Sequence, residues 1–182
     1  MKERYFSTFQ LILLALFSAL VVVAKISLRT PLQLPGHSGI YWMAIVVVAA
    51  SVVPKPGAAT IVGITSGVIA AFLGMGDFGA LDTFVSYMMI GVASDLTLLL
   101  LGGNPEVFIV AVMVGMLGHM GKFLVKWLFG LATGAPLGFI ALGLLRSVLG
   151  YVLFGAIGGA LGWLTIKTLR KAGFFAYIAE KK

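Results

Sequence analysis

Long apolar runs separated by short polar turns constrain this chain more than any other feature. The stretch from about Pro105 to Leu131 is typical, with Glu106, Lys122 and Lys126 as its charges and a Gly-Ala-Pro turn soon after it. A helix of about 20 apolar residues spans the ~30 Å hydrocarbon layer of a bilayer, where open backbone groups find no water. Only 10% of the residues are charged and 60% are hydrophobic, whereas soluble domains carry about 25% charged residues. The chain is therefore expected to be an all-α integral membrane protein. Its length allows about six spans of ~20 residues and no second soluble domain. The expectation is a single transmembrane domain over residues 1–182, with spans near 7–28, 40–53, 57–73, 80–101, 105–131 and 137–166.

Charge placement sets the expected orientation. The net charge of +7 invites a nucleic-acid reading, but the basic residues gather at chain ends and in short loops. That is the pattern of topology signals facing anionic lipid, so no nucleic-acid partner is expected. With a cytoplasmic N-terminus, the inner segments hold Lys2, Arg4, Lys55, Lys167, Arg170, Lys171, Lys181 and Lys182. The outer segments hold only Lys25 and Arg29. Both termini are then cytoplasmic, which requires an even number of spans, and six fits, in the cell membrane. The first apolar run lacks a small-residue cleavage site and reads as a retained span. The absence of cysteine excludes disulfides and thiolate metal sites.

In the fifth span His119, Lys122 and Lys126 fall within a ~60° arc at 100° per residue, and so share one face. Gly115 lies on that arc, with Gly118 and Gly121 beside it, so a helix or a ligand can approach closely. Ionisable groups at membrane depth face a bundle interior, a wet cavity or a substrate. Arg146 of the sixth span lies ~15 Å below the outer end, and His119 and Lys122 ~12–18 Å below it, at 1.5 Å per residue. Asp82 and Ser86 sit near the outer end of the fourth span. The bent polar segment Arg29–Gly39, carrying His37, contains Pro31, Pro35, Gly36 and Gly39 and is suited to a lid. Tyr41 and Trp42 follow it and mark a water–lipid interface. The candidate substrate-binding set is therefore His119, Lys122, Lys126, Arg146, Asp82, Ser86, His37 and Trp42, in an outward-facing, lidded pocket.

Plainer readings stand beside this one. Lys126 is close enough to the outer end to snorkel to headgroups. Lys122 and Arg146 are equally suited to structural ion pairs with Asp82 or Asp95, and His119 to hydrogen-bonded packing. The stripes Gly63-Ser66-Gly67-Ala70-Gly74 and Gly155-Gly158-Gly159-Gly162 have the spacing of close helix contacts. His37, His119 and Asp82 lie on separate segments without ligand spacing, so no metal is expected. No cofactor is expected either.

The order and spacing of several motifs resemble a known family, from about Ala15 to Gly162. They are Ala15-x-x-x-Ala19 in the first span, the long polar loop before Gly39-Ile40-Tyr41-Trp42, Lys55-Pro56-Gly57-Ala58-Ala59, the run to Leu73-Gly74, and Arg146 in the sixth span. Together they are similar to the substrate-binding S components of energy-coupling factor (ECF) transporters, vitamin importers of the ABC superfamily. The subgroup they most resemble is the YkoE type, associated with thiamine and hydroxymethylpyrimidine. The resemblance implies a six-helix fold with a pocket near the outer surface under the first loop. It also implies that Ala15 and Ala19 dock a transmembrane coupling subunit, the T component, itself bound to two ABC ATPases. The chain departs from the YkoE type in charge. It has no carboxylate in the third span, keeps only Asp95 in the inner part of the fourth, and adds Lys122 and Lys126 in the fifth.

The function expected is capture of a small vitamin or related nutrient and its delivery by reorientation driven by partner ATPases. A stand-alone transporter or channel and an intramembrane enzyme are the alternatives. No His-Glu-x-x-His, paired-glutamate or Gly-x-Ser-x-Gly pattern supports catalysis, and no Walker motif supports ATP hydrolysis by the chain itself. Cations clustered at one depth repel one another unless a counter-charge is present. The substrate expected is accordingly a carboxylate or phosphate, with neutral pyrimidine-like compounds next.

Overall fold

The computed structural model describes residues 6–28, 34–76, 78–134 and 137–180. All regular structure among them is helical: α1 (Thr8–Ser27), α2 (Gly39–Val52), α3 (Ala58–Phe72), α4 (Ala80–Leu100), α5 (Phe108–Ala132), α6 (Leu137–Lys171) and α7 (Phe174–Glu180). Helices α1, α4, α5 and the part of α6 from Gly143 to Lys171 are long and apolar enough to cross a membrane. Helices α2 and α3 have 14 and 15 residues, which is ~21–23 Å at 1.5 Å per residue and short of a full ~30 Å crossing. Helix α6 departs from expectation in the other direction, running on to Lys171 rather than stopping near 166. The basic tail turns at Gly173 into α7, which the sequence reading did not anticipate and whose Ile178 is buried in the core.

Local chemistry sets the helix starts. Ser7 and Gln10 form a capping box at α1: Ser7 Oγ accepts from the Gln10 amide at 3.3 Å, and Gln10 Oε1 from the Ser7 amide at 3.0 Å. At α3 the N-cap is Gly57, required by a backbone φ of 90° and unable to cap with a side chain. Asp95 supplies the cap from α4. Its carboxylate accepts from the Ala59 amide at 3.3 Å, the Thr60 amide at 2.7 Å and the Thr60 hydroxyl at 2.6 Å. Asp95 is thus committed to a helix N-terminus, where a negative charge is favoured.

Helix α2 is the centre of the bundle, touching α1, α3, α5 and α6. It is apolar all round, and its buried residues run almost unbroken from Trp42 to Val52, as a helix enclosed on every side requires. The most extensive pairings are α5 with α6, α3 with α4, and α4 with α5. Small residues set the α5–α6 distance. A Cβ at Gly159 would lie 2.8 Å from Val112 Cα, and one at Gly155 would lie 3.0 Å from Met116 Cα. The glycines on and beside the polar arc of α5 serve the same purpose: Gly115 meets α6, while Gly118 and Gly121 meet α4.

Candidate functional site

One end of the bundle collects the end of α1, the start of α2, the α3–α4 turn, the start of α4 and the second half of α5. Asp82 stands there in the first turn of α4 and is fully buried. One of its oxygens accepts from Ser86 Oγ at 3.2 Å, one turn further on. The other accepts from the Phe78 amide at 3.5 Å and lies 3.6 Å from Lys126 Nζ. Lys122 is 5% exposed, and its ammonium lies 4.9 Å from the centre of the Trp42 ring and 5.3 Å from that of Tyr87. A desolvated cation over an aromatic face gains ~2 kcal/mol, offsetting part of the several kcal/mol that burying an ammonium costs. Lys25 reaches the same Tyr87 ring from α1, at 5.3 Å, and donates to the Met75 carbonyl at 3.1 Å.

Lys25, Lys122, Lys126, Asp82, Ser86 and Tyr87 surround a gap of about 10 Å³, roughly the space of one water. Among the described residues, three lysines and one aspartate line it. Trp42 Nε1 and Tyr87 Oη are buried in the same cluster without a hydrogen-bond partner among the described residues. A buried donor left this way costs ~1–3 kcal/mol, so an acceptor placed against it is favoured.

His119 lies behind this cluster and is 1% exposed. Its Nδ1 donates to the Tyr151 carbonyl at 3.0 Å, and its ring stands edge-on to Trp42 with centroids 4.9 Å apart. The turn Leu34–Ser38 sits directly on it. Gly36, with φ of 79°, would bring a Cβ within 3.1 Å of the His119 ring, and a Cβ at Gly39 would overlap that ring. Pro35 packs its carbonyl against Gly150 of α6.

Of the expected residues, Lys122, Lys126, Asp82 and Ser86 line the gap, and Trp42 and His119 form the aromatic layer beside it. Trp42 is wholly buried and does not face the water–lipid interface expected for it. His37 folds back on its own turn, donating from Nδ1 to the Leu34 carbonyl at 2.7 Å, and does not line the gap. Arg146 is exposed on α6, and it does not line the gap either. Nine residues separate it from Gly155, which at 100° per residue is ~180° around the helix from the face against α5. Arg29 of the expected lid lies outside the described residues. His37, His119 and Asp82 do not come together as a metal-holding group.

Lys25, Tyr87 and Tyr151 belong to this region and were not expected there. Lys25 continues the buried stripe Leu14-Ser18-Val21 of α1 at helical spacing, a signal present in the sequence but read as topology alone. Ala15 and Ala19 are exposed on the other face of α1, among Leu11, Ile12, Leu16 and Leu20. A wider cleft of about 290 Å³ lies at the opposite end, between the α2–α3 turn, the α4–α5 loop and α7. Within it Glu106 pairs with Arg170, Asn104 Oδ1 accepts from the Glu106 amide at 3.0 Å, and Ser51 Oγ is buried without a hydrogen-bond partner among the described residues.

No protein-family model matches the chain, and no curated protein matches it. Among solved structures, the crystal structure of an S component of an ECF transporter is similar, with a TM-score of 0.63 and 19% sequence identity. The similarity covers 94% of this chain and 89% of that one. Nearly the whole of this membrane-embedded chain therefore has the fold of an ECF transporter S component.

Proposed function

We propose that this protein is the substrate-binding S component of an ECF-type importer, a non-catalytic subunit that captures a small nutrient and releases it inside the cell. The observation that carries the reading is the fold likeness across 94% of the chain. In this reading residues 1–182 form one transmembrane domain in the cell membrane. Helices α1 to α6 are its six spans, both termini are cytoplasmic, and the gap at Lys122 opens outward beneath the first loop. Ala15 and Ala19 dock the T component, and two ABC ATPases drive reorientation.

The substrate in this reading is a small organic acid or phosphate ester. Three lysines beside the gap, together with Trp42 Nε1 and Tyr87 Oη, which are buried without a hydrogen-bond partner among the described residues, support an acceptor-rich, negative ligand. Lys122 and Lys126 are the leading contacts, with Lys25 beside them. The loop and span order resembles the YkoE type, but the charge favours an acid over thiamine, and a neutral pyrimidine is the second choice.

The test is gentle purification of the tagged protein from cells expressing it with a coupling module, followed by mass spectrometry of proteins and retained small molecules. Co-purification of a T component with an ATPase pair, together with a retained acid, is expected. A protein that never brings down an ATPase pair would overturn the subunit reading, and a retained cation would overturn the substrate class.

A further inference from the structure

Hydroxyls inside these helices commonly bond their own backbone. Those of Ser18, Ser66, Thr83, Thr97, Thr165 and Thr168 each donate to the carbonyl four residues earlier, at 2.6–3.0 Å. Ser51, next to last in α2, does not. Its Oγ is buried without a partner among the described residues, and the residue, 7% exposed, lines the cleft at the end of the bundle away from the lysines. A buried donor left unsatisfied is costly, so an acceptor that reaches it is favoured.

Asn104 lines the same cleft from the α4–α5 loop. Its Oδ1 accepts from the Glu106 amide, so its side-chain NH2 is the end left to donate. Glu106 pairs with Arg170, whose guanidinium lies 5.6 Å from the centre of the Phe175 ring, so a cation stands beside two lining residues. The other walls are apolar: Val52, Pro54, Pro105 and Ile178. On the helix ends that flank the α4–α5 loop, Leu100, Leu101 and Val107 are exposed in a membrane-embedded chain. An apolar flank, buried donors and a cation at the rim match the acyl chain, ester carbonyls and phosphate of a phospholipid. A volume of about 290 Å³ is near the lower end of small-ligand pockets, ~300 Å³, the scale of a headgroup and not of a whole lipid.

We propose that this cleft is a phospholipid site. Ser51 and Asn104 donate to the glycerol ester carbonyls, Arg170 meets the phosphate, and the chains leave along the exposed apolar flank. The inference rests on the chain being embedded in a membrane and not on the importer reading. The site lies at the other end of the bundle from the gap at Lys122, and in the orientation proposed above it faces the inner leaflet.

Diether phospholipids lack the ester carbonyls and keep the glycerol, phosphate and chains, so they test the recognised atoms directly. The experiment measures thermal unfolding of the delipidated full chain in detergent. It is titrated with diester phosphatidylglycerol, with the diether analogue of equal chain length, and with soluble glycerol 3-phosphate. Saturable stabilisation by the diester is expected, with affinity about tenfold tighter than for the diether, the factor equivalent to one buried hydrogen bond. Glycerol 3-phosphate should not stabilise at the same concentrations. Ser51→Ala removes a hydroxyl that has no partner to lose, so its Tm without lipid should not fall, while the tenfold preference should vanish. Asn104→Asp keeps the acceptor for the Glu106 amide, removes the NH2 donors and should narrow the same preference.

Equal affinity for diester and diether in the wild type, or a preference undiminished in both variants, would overturn the proposal. A Ser51→Ala protein that is less stable without lipid would do so too, because its hydroxyl would then be bonded within the chain. Stabilisation by glycerol 3-phosphate equal to that by the lipid would assign the cleft to a soluble phosphate ester instead. No response to the diester would leave it to a protein partner, and either result overturns the lipid site. None of these readouts involves an ATPase, so failure here is distinct from failure of the subunit reading.

Discussion

An aspartate in an apolar helix is by default a candidate for ion or substrate handling, yet the geometry of Asp95 assigns it to the end of another helix. Replacing it with alanine tests that assignment. The carboxylate receives bonds at 2.6 and 2.7 Å from Thr60 and a longer one at 3.3 Å from the Ala59 amide. Hydrogen bonds to a charged acceptor contribute about 1.5–3 kcal/mol each, so the two short ones set a gross loss of about 3–6 kcal/mol. Against this, the variant no longer buries a carboxylate that is only 7% exposed, which relieves part of a desolvation cost of a few kcal/mol. The net expectation for Asp95→Ala is about 2–4 kcal/mol of lost stability, at or above the top of the ~0.5–2 kcal/mol range for ordinary N-cap removal. Asp95→Asn keeps one acceptor oxygen and should lose roughly half as much. Thr60→Val should couple to Asp95→Ala by about 1 kcal/mol in a double-mutant cycle, because the two share a bond. The assay is unfolding by SDS in mixed micelles followed by circular dichroism, with small-molecule retention measured on the same samples. Stability within about 0.5 kcal/mol of wild type for Asp95→Ala, or loss of retained ligand without loss of stability, would refute the capping assignment.

Three further outcomes are expected. The chain has no cysteine of its own, so single cysteines introduced at positions 33 and 55 should label with an impermeant reagent at 33 only in intact cells. Labelling at 55 alone would reverse the topology. Tryptophan at both Ala15 and Ala19, which lie on an exposed face of α1, should block complex formation while leaving the fold and ligand retention intact. Undiminished co-purification of the T component with that variant would remove the docking assignment. Gly159→Leu should cost about 3 kcal/mol or abolish folding, because a Cβ there already falls 2.8 Å from Val112 Cα. A stable, monodisperse Gly159→Leu protein would show that α5 and α6 have slack that the fold described here does not.

The sequence by itself determined the helical class, because a chain with so few charges and such long apolar runs must satisfy its backbone internally. It also determined which residues of α5 share a face. Periodicity alone puts His119, Lys122 and Lys126 together, and all three lie on the inward side, with His119 and Lys122 nearly inaccessible. Depth along a helix axis follows from counting residues, and by depth Arg146 belongs with that group. Rotation about the axis does not follow from counting. It is decided by which face of α6 comes closest to α5, and the glycines at 155 and 159 turn Arg146 away. The same limit hid Tyr87, whose ring joins the aromatic cluster only when α2 brings Trp42 against it. Asp95 and Asp82 are alike in the sequence, two carboxylates in one apolar helix. Tertiary structure alone separates them: α3 presents bare amides to one, and α5 presents an ammonium to the other. A carboxylate's role in an apolar interior is set by which donor the packing brings to it, since no water is there to serve instead.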